Sequence, residues 1–112
     1  DERYHLTRLE FQGGSVLVAL RPEPIGCRLR FRVHARDVSL ALERLDGSTI
    51  INLLAVTVAE VADADTPAHV LVRLDLAGTP MLARITRLSR DQLGVVPGKH
   101  MWAQIKSVAL LG

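Results

Sequence analysis

INLLAVTVAEVADADTPAHVLVRLDL, residues 51–76, holds two apolar runs, INLLAVTVAEV (51–61) and HVLVRLDL (69–76), on either side of the polar loop ADADTPA (62–68). Short runs rich in Val and Leu, bounded by turn-forming residues, read as β-strands rather than helices. The same pattern recurs outward in both directions. Downstream, Ala77-Gly78 turns the chain into PMLARITR (80–87), and VVPGKH leads into a final strand expected over 100–110, where Met101, Ala103 and Ile105 alternate with Trp102, Gln104 and Lys106. Upstream, YHLTRLEF (4–11), a Gly13-Gly14 turn and SVLVAL (15–20) precede the breaker RPEPIG. CRLRFRV (27–33) alternates strictly, with Leu29, Phe31 and Val33 on one face and Arg28, Arg30 and Arg32 on the other. VSLAL (38–42) follows, and ERLDGS (43–48) forms a loop.

One helical signal interrupts the strands. In SRDQLGV (89–95), Ser89 is placed to cap a first turn, Gln92 to complete a capping box, and Gly94 to stop the helix. A faint repeat sets PIGCRLRFRVHARDV against VPGKHMWAQIKSV, with Gly26 on Gly98 and His34 on Lys106. These features predict an all-β, OB-like barrel with one short capped helix. They divide the chain into a first β segment, 1–45, and a second unit, 46–112.

Composition bounds the function. The chain has 112 residues, 48% of them hydrophobic, which suits one packed domain. No apolar run reaches the roughly 18–20 residues that span a bilayer. The start at Asp1, with neither Met nor an apolar signal region, reads as a fragment of a longer protein. Cys27 permits no internal disulfide and reads as a small packing residue. His5, His34, His69 and His100 lack metal-ligand spacing, and no phosphate-loop, zinc or nucleophile-elbow motif occurs. Asp63 and Asp65 read as solvated loop charge. No enzyme is expected of this chain. A net charge of +2 and only Tyr4, Phe11, Phe31 and Trp102 as aromatics argue against nucleic acid, although Arg28, Arg30 and Arg32 form a basic stripe.

Three stretches collect hydroxyls at strand entries or helix starts: STIIN (48–52), ITRLS (85–89) and IKSV (105–108). Backbone N–H groups there, with hydroxyls and the Lys106 ammonium, are the donors a tetrahedral oxyanion needs.

RVHARDVSLALE (32–43), STIINLL (48–54), LARITRLSRDQLGVVPG (82–98) and AQIKSVALL (103–111) closely resemble the C-terminal TOBE/Mop regulatory region of the ATP-binding subunit of molybdate ABC transporters, the ModC family. The resemblance implies the OB-like TOBE/Mop barrel. It implies an oxyanion site for molybdate or tungstate at Thr49, Ile50, Ile51 and Asn52, at Thr86 and Ser89, and at Lys106 and Ser107. In place of an arginine common before the Asn in related modules, this chain has Ile51. The resemblance further implies a site shared between two copies and a homodimer. It places ATP and Mg in an ATPase domain upstream and membrane permease subunits as partners. It locates the assembly in the cytoplasm at the inner face of the membrane. The rival expectation is a structural dimerisation module of the same fold with no ligand.

Overall fold

The structure is a computed structural model that describes residues 3–111. Nine strands are described: β1 (Leu6–Phe11), β2 (Gly14–Ala19), β3 (Arg30–Arg32), β4 (Val38–Ala41), β5 (Asn52–Asp63), β6 (His69–Leu76), β7 (Thr79–Thr86), β8 (His100–Ile105) and β9 (Ala109–Leu111). A 3-10 turn, Ala35–Asp37, precedes β4, and one helix, α1 (Arg87–Leu93), follows β7. The sheet order is β4-β8-β5-β6-β7, with β1-β2 and β3-β9 as separate two-stranded ribbons, all antiparallel. The edge strands β4 and β7 touch, so the five-stranded sheet curls toward closure. This is the expected all-β, OB-like barrel with one short capped helix.

Period-two burial builds the core. Val70, Val72, Leu74 and Leu76 of β6 all point inward, as do Met101, Ala103 and Ile105 of β8, and Leu9, Val16 and Val38 add the contribution of the first segment. β5 serves both halves of the sheet. It pairs with β8 from Asn52 to Thr57, and with β6 from Thr57 to Asp63. Its register shifts between Val58 and Glu60, where Val58 exchanges hydrogen bonds with Lys99 O and Gly98 N. A bulge of this kind bends a long strand so that it can turn a barrel corner.

The β1–β2 hairpin docks on this barrel at its tip. Gln12 Nε2 donates to Ala77 O at 3.1 Å, and the Thr79 hydroxyl donates to Gln12 O. Gly13 has φ +105, and a Cβ there would lie 1.8 Å from Leu76 O, so the turn needs glycine twice over.

Four expectations are corrected. The final strand is broken: β8 ends at Ile105 and β9 begins at Ala109, which leaves Lys106–Val108 outside both ladders. The helix spans Arg87–Leu93 with Thr86, not Ser89, as its N-cap; Gly94 ends it at φ 65 as expected. Cys27 is exposed, not packed. Asp63 and Asp65 are more than solvated charge, since they pair with Arg87 and Arg84.

Candidate functional site

The expected anion residues fall into two groups. In the first, Asn52 opens β5 opposite Ile105, so Ile51 and Lys106 adjoin the same ladder rung. Ile105 also faces Val38, and the Lys106 N–H donates to Asp37 O at 2.9 Å. That bond terminates β8 and turns Lys106 and Ser107 outward; both are exposed. Ser107 makes no hydrogen bond among the described residues, which leaves its hydroxyl and backbone N–H available. Thr49 and Ile51 are also exposed, and the Ile50 N–H is held by Ser48 Oγ at 3.1 Å.

Asn52 itself is committed elsewhere. Its Oδ1 accepts from the Leu17 N–H at 2.7 Å, and its Nδ2 donates to Leu17 O at 3.0 Å. Asn52 is buried, and its carboxamide plays the part of a peptide group on the open edge of β2. One Nδ2 hydrogen remains for any further acceptor. The sequence carries no local signal for this bond, because its partner lies 35 residues away.

The second group is Thr86 and Ser89. Thr86 ends β7 opposite His69, and its Oγ1 accepts from the Ser89 N–H at 3.0 Å and donates to Ser89 Oγ at 2.9 Å. Both residues therefore serve the start of α1. The Arg87 N–H, next in line, donates to Ala68 O. His69 neighbours Val70, which pairs with Asp63, the last residue of β5. Asn52 is the first residue of that strand, so the ladder separates the two groups by its full length. No hydrogen bond or strand pairing among the described residues joins them.

Beside the second group, Arg84 Nε donates to Asp65 Oδ1 at 3.1 Å, and Thr66 Oγ1 lies 2.7 Å from His69 Nδ1. The Arg84 hydrogen bond, helped by a backbone N–H, holds the Asp65 carboxyl below the usual carboxylate range. Among the described residues no group of His, Cys, Asp and Glu is placed to hold a metal ion. None of the described helices is long and apolar enough to cross a membrane.

The chain is thus an OB-like barrel with an exposed lysine and hydroxyl at a strand break. The TOBE domain family matches residues 48–111, and the chain belongs to that family. Over its whole length it is 69% identical to the molybdenum import ATP-binding protein ModC 1 of Azotobacter vinelandii. Over 99% of its length it is 53% identical to ModC of Pseudomonas fluorescens and 46% identical to ModC of Methylococcus capsulatus. The chain spans 31% of the length of each of these relatives.

Proposed function

We propose that this chain is the oxyanion-sensing regulatory domain of a molybdate importer's ATP-binding subunit, taking molybdate or tungstate from the cytoplasm. The observation that carries the reading is the break after β8. There, just past the Asn52–Ile105 rung, Lys106 and Ser107 are exposed and, among the described residues, the Lys106 ammonium has no acidic partner and the Ser107 hydroxyl and N–H make no hydrogen bond. Each half-site is incomplete alone, so a full site forms between two copies, the Lys106–Ser107 group of one meeting the Thr86–Ser89 group of the other. ATP and Mg belong to the remaining two-thirds of the subunit, which engages membrane permease subunits at the inner face of the membrane. Occupancy regulates transport if the anion favours one arrangement of the paired subunits over another. Sulfate has the same charge and shape but is smaller, and leaves donors underused; molybdate and tungstate are close in size and compete equally.

The second reading, a dimerisation module without a ligand, draws support from Asn52, whose carboxamide is engaged by Leu17, and from the apolar Ile51. Calorimetric titration with sodium molybdate separates the two, with sulfate and Lys106→Ala as controls. Saturable heat that is absent with sulfate and lost in the variant supports the sensor. A folded chain with no heat, sedimenting as a dimer regardless of molybdate, supports the module.

A further inference from the structure

Ion pairing is uneven over this surface. Arg21, Arg44, Arg73, Arg84, Arg87 and Arg90 each hold an acidic partner. Arg28, Arg30, Arg32, Arg36 and Lys106 hold none among the described residues, and all five are exposed. They gather at one pole. Arg32 pairs with Ala109 and Arg30 with Leu111 across the β3–β9 ribbon, while Phe31 and Leu110 between them pack against the core. The arginines therefore face out, about 7 Å apart along the strand. The 3-10 turn Ala35–Asp37 then sets Arg36 next in sequence to Asp37, whose carbonyl accepts the Lys106 N–H at 2.9 Å. Ala35 lines the apolar groove beside Met81, whereas Arg36, next in the turn, is exposed to solvent. Among the described residues, Asp37 in the turn beside Arg36 pairs with neither Arg36 nor Lys106. In a chain of net charge +2 the pole accounts for +4 and the remainder for −2.

A doubly charged oxyanion seated on one ammonium is left half-compensated, and an uncompensated charge drawn from water is costly. We propose that Arg36 supplies the second positive charge to the oxyanion held at Lys106 and Ser107, with Arg28, Arg30 and Arg32 as the basic approach to it. The assignment rests on the oxyanion reading above. The guanidinium offers a planar fork for two oxygens, which an ammonium cannot match. The flanking arginines raise the local anion concentration and make capture sensitive to salt.

The test is titration of the 112-residue chain with sodium molybdate at 20 and 200 mM salt, in the wild type and in Arg36→Gln, Arg36→Lys and Arg8→Gln. Arg8 is an exposed cation of β1 without an acidic partner among the described residues, outside the pole. Arg36→Gln is expected to weaken binding about tenfold or more, the scale of one charged hydrogen bond. Arg36→Lys should recover part of that loss, and Arg8→Gln should stay within about twofold. Thermal melts confirm that each variant is folded. Wild-type binding that Arg36→Gln leaves unchanged overturns the assignment while the oxyanion site at Lys106 stands. Wild type that binds no molybdate overturns both. Binding of a single-stranded oligonucleotide that is lost in Arg32→Gln and Arg36→Gln, with molybdate heat unaffected, would make the pole a polyanion surface instead.

Discussion

Asn52 faces Ile105 in the β5–β8 ladder, yet its carboxamide closes a two-bond ring with the backbone of Leu17. Replacing it with leucine keeps the volume and removes both partners. That leaves a half-buried N–H and C=O on β2 without hydrogen bonds, at a cost of about 2 kcal/mol. Urea unfolding followed by the single Trp102 should show the loss, and amide exchange at Leu17 should quicken. If Leu17 stays protected in Asn52→Leu, the side chain is not what holds the hairpin. Thr86 offers a parallel case. Its hydroxyl receives the Ser89 N–H, so Thr86→Ala removes an N-cap and should cost about 1 kcal/mol, while Thr86→Ser should recover most of it. Ser89→Ala keeps that N–H and should change stability by no more than about 0.5 kcal/mol. Equal costs at Thr86 and Ser89 would contradict the observed cap.

Strands with strong alternation were legible from sequence: HVLVRLDL matches β6, His69–Leu76, residue for residue, because one face is wholly buried. The break between β8 and β9 was not. Ile105, Lys106, Ser107 and Val108 continue a plausible strand, and only the distant Asp37 carbonyl ends the ladder there. The helix start was ambiguous for a related reason. Thr86 and Ser89 are both good caps, and the choice falls to the last β6–β7 rung at His69 and Thr86. The oxyanion residues were legible as types but not as neighbours, since adjacency at Lys106 depends on Asn52 and Asp37, and β5 keeps Thr86 away. The loop between β5 and β6 carries its own prediction. The folded-state pKa of Asp65 lies below the ordinary Asp value of about 3.9, so its ion pair with Arg84 supports the loop above that value. The support fades as pH falls through the folded pKa. Asp65 is largely exposed and Arg84 half-buried, and the effect should be local and modest. Amide exchange over 64–69, corrected for intrinsic rates, should show protection at pH 6 that declines as the pH is lowered below about 3.9. Unchanged protection would remove the pair as a cause of loop order.

At the scale of the molecule, the boundary between 45 and 46 falls in the loop joining β4 to β5, and pairing crosses it repeatedly. β4 covers one edge of β8, β3 pairs with β9, and Asn52 grips β2. Leu9, Val16 and Val38 enter the same core as the strands of the second segment. Each such side chain contributes about 1.5–3 kcal/mol on burial. Together they amount to a large part of the roughly 5–15 kcal/mol that a domain has in hand. A chain of residues 46–112 alone is therefore expected to lose cooperative unfolding of Trp102. Adding residues 1–45 as a separate peptide should restore it. The same experiment bears on the ligand, because the β4–β8 pairing holds the turn that carries Arg36 against the backbone of Lys106. Molybdate should bind the reconstituted pair and neither piece singly. If 46–112 unfolds cooperatively at the denaturant midpoint of the full chain, the first segment is an appendage to a self-sufficient barrel. Molybdate binding by that shorter piece with full affinity would then leave Arg36 with no part in the site.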